Sequence, residues 1–278
     1  MYMKLPESFL TRMQQMLGDE YEPFLASYDQ PAARGLRVNL LKAGPELTLP
    51  FPTSPVEWCP TGHRYSGELR PGLHPWHDAR VYYIQEPSAM AVAEIAAPQP
   101  GERVLDLCAA PGGKTSHLAS LAGDQCLLIS NEIHPQRARI LSRNVERMGI
   151  CNAAVLNETP DRLAERFSSF FDCIVVDAPC SGEGMFRKEP VALEEWSEEN
   201  VALCASRQDE ILDAALQMLA PGGRLIYATC TFAPAEDEGT LSRLLERYPK
   251  LELADLPEAP GFVPARADWY IPAAPGID

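Results

Sequence analysis

From about residue 104 onward, apolar residues form short runs that alternate with longer amphipathic segments. The runs are rich in Val, Ile and Leu and are bounded by turn residues, as buried strands are. The segments 137–149 and 201–219 carry apolar residues at helical spacing. Strands that alternate with helices form βαβ units, so the pattern predicts an α/β fold with a doubly wound, mostly parallel sheet. The predicted strands are 104–108, 126–130, 153–156, 172–178 and 224–230.

The first 80 residues follow a different pattern. Apolar side chains recur at spacings of three and four within 5–28, which predicts a helical region whose pattern ends at Gly18. A strand is predicted at 37–41, and the stretch 43–78, rich in Pro, Gly and Trp, favours short strands and turns. The sequence therefore predicts a small N-terminal α+β extension.

A larger domain is predicted to follow this extension. The hydrophobic pattern changes at Tyr82, and Ser88 is a candidate N-cap for a helix that runs through Ala96. We therefore divide the chain into an extension over residues 1–80 and a main domain over residues 81–278.

Composition limits the classes of protein to consider. The chain has 278 residues, of which 46% are apolar and 23% charged, values that suit a folded chain with a continuous core. There are 39 acidic residues against 24 basic ones, a net charge of −15, and most of this excess lies after residue 80. The balance argues against binding nucleic acid or membrane through bulk charge, so a polyanionic partner needs a local basic patch.

Cysteine and histidine usage indicates neither disulfides nor metal. The eight cysteines include no C-x-x-C pair, and the five histidines lack the spacing of metal ligands, so we assign no metal. The N terminus has no apolar stretch of the signal-peptide kind, and no run approaches the roughly 20 apolar residues that cross a bilayer. We expect reduced thiols, a cytoplasmic location and no membrane span.

The loop after the first strand of the main domain is a candidate cofactor site, because ligands bind at the carboxyl ends of parallel strands. The segment 108–115 lacks G-x-G-x-x-G, and Cys108 stands where the phosphate loop needs its first glycine. Two glycines still allow close backbone approach, and the next helix offers N–H groups to a carboxylate. Glu132, after the second strand, is placed to bind ribose hydroxyls, which implies a nucleoside-bearing cofactor. The alternative is a tight turn and a solvated helix start.

Two cysteines follow strands of the predicted sheet. Cys180 lies in the segment 177–182, DAPCSG, and Cys230 ends the segment 228–230, ATC. Because adjacent parallel strands end at the same edge, we expect both thiols in the crevice beside the cofactor loop. The remaining cysteines of the main domain outside the loop are interpreted as small buried apolar residues, namely Cys126, Cys151, Cys173 and Cys204.

These motifs resemble those of a known family, the RNA 5-methylcytosine methyltransferases of the NOL/NOP/Sun group. The likeness covers the chain from about residue 35 onward, in order and spacing, and the stretch from Asp177 to Lys188 is most similar to the F-type enzymes that modify 16S ribosomal RNA. The matching motifs are RVN at 37–39, QEPSAM at 85–90, CAAPGGK at 108–114, DAPCSG at 177–182 and ATC at 228–230.

The resemblance implies a Rossmann-like class I methyltransferase that uses S-adenosyl-L-methionine and acts on RNA, with an RNA-binding type of N-terminal extension. In the family the Thr-Cys residue attacks the base and the Pro-Cys residue assists release, which implies Cys230 as nucleophile and Cys180 as helper. The residues alone do not order the two cysteines. The implied cofactor-binding residues are Cys108, Ala109, Ala110, Pro111, Gly112, Gly113, Lys114, Glu132, Arg137, Glu158 and Asp177, and the implied catalytic residues are Cys230, Cys180 and Asp177.

This chemistry explains why the family needs a thiolate. Cytosine C5 is too weak a nucleophile to take a methyl group, whereas addition of a thiolate at C6 produces an enamine that is reactive at C5. A base must then remove the C5 proton before the cysteine leaves. Asp177 is expected to hydrogen-bond N3 and stabilise charge there, or else to satisfy nearby backbone N–H groups.

Other features leave the function less defined. Arg187 and Lys188 are candidates for phosphate contacts and Phe186 for stacking on a base, or this segment is a solvated surface loop. Residues 231–278 contain no convincing strand pair, so we expect the final strands to be missing from a truncated chain and the last strand to have an uncovered edge.

Four alternative functions remain at this point. They are a catalytically silent RNA-binding or ribosome-assembly module, a methyltransferase of transfer RNA, a methyltransferase of DNA and a methyltransferase of a small molecule. The presence of a Thr-Cys motif beside the Pro-Cys motif favours RNA over DNA in the family. The oligomeric state is left open.

Overall fold

A computed structural model describes residues 4–44, 46–123, 125–256 and 258–270. The N-terminal part combines three helices with a small sheet and has 3-10 turns at Gly18–Glu20 and Pro71–Leu73. Its other elements are α1 (Glu7–Leu17), α2 (Tyr21–Ser27), β1 (Gly35–Val38), β2 (Ser54–Val56), β3 (Cys59–Arg64), α3 (Pro75–Asp78) and β4 (Tyr82–Ile84).

The remaining elements form the alternating pattern of strands and helices that the sequence predicts. They are α4 (Pro87–Ala96), β5 (Arg103–Asp106), α5 (Gly113–Ala122), β6 (Leu127–Asn131), α6 (Pro135–Met148), β7 (Ala153–Leu156), α7 (Pro160–Ala164), β8 (Phe171–Asp177), α8 (Pro190–Glu195), α9 (Glu198–Met218), β9 (Leu219–Ala228) and α10 (Glu238–Arg247), with 3-10 turns at Glu183–Met185 and Ala267–Trp269.

The N-terminal sheet is antiparallel, with strand order β2-β3-β1-β4. Helix α4 packs closely on it through Met90, which is fully buried against Val56 and Cys59. This approach requires glycine at Gly62, because a Cβ atom there would lie 2.7 Å from the Met90 sulfur. The extension is therefore joined to the following domain by a packed interface.

The main sheet has five parallel strands in the order β7-β6-β5-β8-β9. Successive side chains of a strand point to opposite faces, so Val104 and Leu105 enter different clusters of buried residues. Helices α4, α5 and α6 cover one face, and α7, α9 and α10 cover the other. The predicted doubly wound α/β sheet is confirmed.

Three predicted boundaries differ from the structure. The N-terminal helix is interrupted because Gly18 has φ +52°, and a 3-10 turn separates α1 from α2. Ser88 does not cap α4, since Pro87 is already the first helical residue, a position that suits its fixed φ. Strand β9 begins at Leu219 and ends at Ala228, so Cys230 lies in the loop beyond it.

Strand β9 is the last strand of the described residues and lies at the edge of the sheet, paired with β8 alone. The described residues that follow it form α10 and one 3-10 turn, in agreement with the predicted lack of a further strand pair. Residues 271–278, on which part of that prediction falls, lie outside the described residues. No described helix is both long and apolar enough to cross a membrane.

Leu105→Ala tests the core beneath the site. Leu105 is fully buried on the central strand β5, so its truncation leaves a cavity and is expected to lower the free energy of unfolding by about 2–5 kcal/mol. Leu127→Ala on β6 is the matched control, because Leu127 is 43% exposed and should cost roughly 0.5 kcal/mol or less. Urea unfolding measures both, and equal losses would contradict the assigned core.

Candidate active site

The loop between β5 and α5 occupies the carboxyl edge of the sheet, as predicted. Gly112 has φ +108°, a conformation that favours glycine, and a Cβ there would lie 3.1 Å from the Leu141 side chain. Two side chains of α6 hold the loop: Arg137 donates to the Ala110 carbonyl at 2.8 Å, and Asn144 to the Pro111 carbonyl at 2.7 Å. The loop backbone is thereby fixed against α6.

Asp106, at the end of β5, is a buried acid that the sequence analysis did not single out. It is fully buried, its Oδ2 accepts a hydrogen bond from the Thr115 hydroxyl at 2.7 Å, and burial raises its pKa to about 6. Its Oδ1 has no hydrogen-bond partner among the described residues. The signal that marked it was a single acid inside an apolar strand, directly before the loop.

Glu132 lies beside this loop, at the end of β6. It is 3% exposed, which contradicts the alternative of a solvated helix start. Its Oε1 accepts from the His134 amide at 2.9 Å, and its Oε2 lies 3.4 Å from Arg137. Arg137 therefore connects Glu132 to the loop.

The backbone of Glu158, and not its side chain, is hydrogen-bonded to Asn131, the residue before Glu132. Its amide donates to Asn131, and its side chain forms an ion pair with Arg162 at 2.9 Å on the surface of α7. Asn157, its neighbour, donates to the carbonyl of Glu132 at 2.6 Å. A contact between Glu158 and adenine stays a prediction.

The two cysteines predicted to share one edge lie together. Cys180 follows β8 and Cys230 follows β9, and their sulfurs are 3.2 Å apart. Cys230 is exposed and Cys180 partly buried. The parallel pairing of β8 with β9 brings both loops to the same crevice, as expected.

The electrostatics of this pair are asymmetric. The hydrogen bond from the Cys180 thiol lowers the pKa of Cys230, and the positive charge of Lys114 acts in the same direction. The same hydrogen bond, followed by burial, raises the pKa of Cys180. The Cys230 amide also donates to the Cys180 sulfur at 3.4 Å, which opposes this rise only weakly. The arrangement favours a Cys230 thiolate that accepts a hydrogen bond from a Cys180 thiol.

Asp177 connects the cysteine loops to the cofactor loop. Its Oδ2 accepts a hydrogen bond from Lys114 Nζ at 2.5 Å, across from the start of α5. Among the described residues no backbone N–H bonds to the Asp177 carboxylate, so its side chain does not serve the local role considered as an alternative. Lys114 and Asp177 thus form a charged pair close to Cys230.

Three acids behind the cysteines were not recognised in the sequence. Glu183 is fully buried and accepts from Arg12 and Trp196. Glu236 is fully buried and accepts from Ser181, and the Asp237 carboxylate accepts from the Thr229 hydroxyl at 2.7 Å. Burial raises the pKa of Asp237 to about 7. The acidic residues 236–238, which follow Cys230, resemble a solvated acidic segment in the sequence. Their position after a Thr-Cys motif was the one signal that pointed to the site.

The predicted stacking role of Phe186 is wrong. Phe186 is 2% exposed because α1 covers it, with the ring of Phe9 5.2 Å away. The two cations beside it also have internal partners: Arg187 donates to the Ser27 carbonyl at 2.7 Å, and Lys188 pairs with Glu86. These three residues form an internal contact.

Phe232 is the exposed aromatic residue nearest the nucleophile in sequence. It is 39% exposed, and its ring centroid lies 5.8 Å from that of Phe24 on α2. It follows Cys230 by two residues, so its surface borders the exposed thiol loop. This ring, rather than Phe186, is available for stacking on a base.

The spacing of the histidines in the sequence predicted no metal site. His117 nevertheless lies in a cluster with Glu94 and Cys59, two residues of types that can bind a metal. His117 Nε2 is 3.0 Å from Glu94 and 3.8 Å from the sulfur of Cys59, between the extension and α5. The fully buried guanidinium of Arg37 is close enough to perturb all three groups. A carboxylate balances this buried cation, and an added dication would oppose it. The cluster is thus accounted for as a hydrogen-bonded contact between strand β3 of the N-terminal sheet and helices α4 and α5.

Comparison with known sequences matches both parts of the chain. A model described as 16S rRNA methyltransferase RsmB/F matches residues 93–265, and one described as the N-terminal domain of 16S rRNA methyltransferase RsmF matches residues 5–87. The ribosomal RNA small subunit methyltransferases F of Citrobacter koseri and Escherichia coli O127:H6 are 38% and 36% identical. Each match covers 90% of this chain and 56% of the relative, so the chain spans a little over half the length of these curated relatives.

Solved structures agree with the fold. A methyltransferase homolog protein from Pyrococcus horikoshii is 28% identical, with a TM-score of 0.79 over 88% of this chain and 80% of its own. NSun6 from the same organism, solved with SFG, has a TM-score of 0.77 over 95% and 92%, and at 19% identity shows the fold alone. The predicted Rossmann-like methyltransferase fold is thus confirmed, and, with family models matching both its extension and its main domain, the chain belongs to the RsmB/F family of 16S rRNA methyltransferases.

Proposed function

We propose that this protein transfers a methyl group from S-adenosyl-L-methionine to C5 of a cytosine in 16S ribosomal RNA, in the cytoplasm, through a covalent adduct between Cys230 and C6. The observation that carries the proposal is the 3.2 Å contact between the sulfurs of Cys180 and Cys230 beside the Gly112 loop. Membership of the RsmB/F family supports the substrate class.

Cys230 is the proposed nucleophile. It is the exposed thiol of the pair, and the hydrogen bond from Cys180 lowers its pKa, which increases the thiolate fraction at neutral pH. Addition of the thiolate forms the S–C6 bond and moves an electron pair toward C5, N3 and O2. Lys114, held by Asp177 near this thiol, is a donor suited to the charge that develops on the ring.

Cys180 is the proposed acid/base helper. In the free protein its thiol donates to the Cys230 sulfur, and this hydrogen bond is the largest cause of its raised pKa. Formation of the S–C6 bond removes the thiolate charge and therefore that cause. Cys180 can then lose its proton to solvent and, as a thiolate, accept the proton on C5. The electron pair left on C5 restores the ring double bond and expels Cys230 as a thiolate.

The cofactor-binding residues are proposed to be the loop from Cys108 to Lys114 together with Glu132, Arg137, Glu158 and Asp177. The chemical character of these groups fits the ligand: Gly112 permits close backbone approach, and Glu132 is a buried acceptor suited to ribose hydroxyls. Asp106 leaves one buried acceptor oxygen behind the loop without a partner. When bound, S-adenosyl-L-methionine supplies an electrophilic methyl group, which the C5 carbon of the adduct takes up.

An enzyme is favoured over a silent RNA-binding module, because the contact between the Cys180 and Cys230 thiols serves the proposed covalent reaction. A carboxylate beside a thiol opposes ionisation of the thiol, and Asp177 acts on Cys230 in this direction, so the site retains a cost that RNA binding alone would not require. Transfer RNA and DNA remain alternative substrates for the same chemistry. The net charge of −15 favours a substrate bound through local contacts.

Methyl transfer tests the proposal. With labelled S-adenosyl-L-methionine, 16S ribosomal RNA or small ribosomal subunits should become labelled at C5 of a cytosine, whereas transfer RNA and DNA should not. Cys230→Ala should abolish both turnover and covalent capture, because no other described cysteine has its sulfur within hydrogen-bond distance of Cys180. Bisulfite mapping identifies the modified base, and transfer to none of the RNAs would contradict the proposal.

Cys180→Ala tests the division of roles. Addition and methylation should still occur, but release should stall, so an adduct of protein and RNA that survives denaturant should accumulate. Gel mobility after denaturation measures the adduct, and Cys204→Ala is a control because that thiol lies on the buried face of α9. An adduct that requires Cys180 and forms without Cys230 would reverse the two roles.

Glu132→Ala tests the cofactor site. Loss of a buried charged acceptor is expected to weaken binding of S-adenosyl-L-methionine by about 1.5–3 kcal/mol, or roughly tenfold to hundredfold. Calorimetric titration measures the affinity, and urea unfolding checks that α6, whose start Glu132 holds, is retained. Glu146 is an exposed glutamate on α6, and the Glu146→Ala variant should bind S-adenosyl-L-methionine normally. Unchanged affinity in the Glu132→Ala variant would exclude a role of Glu132 in cofactor binding.

A further inference from the structure

We propose that Glu236 is a positioning residue that fixes the two cysteine-bearing loops relative to each other through Ser181 and Thr231. Ser181 follows Cys180 directly, and Thr231 follows Cys230 directly, so each loop contributes one hydroxyl next to its cysteine. Glu236 is fully buried behind these hydroxyls and does not reach the crevice. This proposal rests on the function proposed above.

The hydrogen bonds between these groups have a defined direction. Glu236 Oε2 accepts from the Ser181 amide at 2.9 Å, and Glu236 Oε1 accepts from the Ser181 hydroxyl. Ser181 has a single hydroxyl proton, so the Thr231 hydroxyl must donate in the contact of 2.8 Å between their oxygens. A carboxylate therefore orients both hydroxyls from one side.

A second donor extends this control to the residue before Cys180. Gln208, fully buried on α9, donates from Nε2 to Glu236 Oε2 and to the Pro179 carbonyl, at 3.0 Å in each case. Its own carbonyl oxygen accepts from Thr240 at 3.3 Å. Residues on both sides of Cys180 are thus held by Glu236 or by its partner.

The chemistry of the site depends on the distance between the Cys180 and Cys230 sulfurs. The Cys180 thiol lowers the pKa of Cys230 only while the two sulfurs stay within hydrogen-bond distance. The loops also touch directly, since the Gly184 amide donates to the Cys230 carbonyl at 2.8 Å. That contact is made four residues after Cys180, so it fixes the approach of the loops but not the direction of the Cys180 side chain.

Glutamine at position 236 is the informative substitution. It has nearly the same shape, but its NH₂ group cannot accept from Ser181 or Gln208, so one side of the network loses its acceptor. Ser181→Ala removes the hydroxyl alone and serves as a second variant if Glu236→Gln fails to fold. The matched control is Glu238→Gln, two residues further on at the start of α10.

Alkylation of the free protein is the first measurement, because it needs neither RNA nor cofactor. Iodoacetamide labelling of Cys230 at pH 7, followed by mass spectrometry, should slow by about threefold to tenfold in Ser181→Ala, since less thiolate is present. The slowing should be smaller in Glu236→Gln, because loss of the carboxylate charge lowers the pKa of Cys230 and partly offsets the loss of the Cys180 hydrogen bond. Glu238→Gln should stay within about twofold of the parent protein. In the double variant the slowing should not exceed that of Ser181→Ala alone, because both changes act through one contact.

Turnover provides the second measurement. With 16S ribosomal RNA and S-adenosyl-L-methionine, Glu236→Gln should lower kcat about tenfold with little change in KM and should accumulate the denaturant-stable adduct, as expected for Cys180→Ala. A role in stability alone would lower the midpoint of urea unfolding without producing adduct or changing alkylation.

The two proposals fail in different ways. If Cys180→Ala itself yields no adduct, the covalent mechanism is wrong, while the alkylation result still decides the role of Glu236. If that adduct forms, and folded Ser181→Ala and Glu236→Gln proteins both alkylate Cys230 at the parent rate without accumulating adduct, the positioning role is overturned.

Discussion

The site depends on the parallel pairing of β8 with β9. Their register sets Asp177 opposite Ala228, so both strands end at the same level of the sheet. Neighbouring strands are about 4.8 Å apart, and short loops from their ends bring two sulfurs within hydrogen-bond distance. An intervening strand would separate the thiols by roughly twice that spacing and remove the interaction that favours the Cys230 thiolate.

The charges around this pair act in opposite directions. Asp177 and Glu236 raise the pKa of Cys230, whereas the Cys180 thiol and Lys114 lower it. The acids also have positioning contacts, since Asp177 holds Lys114 and Glu236 holds Ser181. The protein thus uses carboxylates to build the site and offsets their effect on the nucleophile with one cation and one thiol.

Sequence patterns predicted what depends on strand periodicity. The doubly wound sheet, the glycine loop and the adjacency of the two cysteines all follow from the positions of strand ends. The burial of Phe186 and Glu236 could not be predicted, because a distant helix covers the one, and the Cys180 loop and α9 surround the other. Similarly, Cys59 and His117 are 58 residues apart and meet only because the N-terminal sheet packs on helices of the main domain.

The first helix of the chain, α1, contacts the loop that follows Cys180. Arg12 donates to Glu183 at 2.5 Å across 171 residues of sequence, and Phe9 packs against Phe186. Glu183 in turn accepts from the Phe232 amide, two residues after Cys230. During synthesis the nascent chain must therefore keep α1 available until its partner loops emerge, and an exchange of this helix between homologues would succeed only if the facing aromatic and acidic residues were exchanged with it.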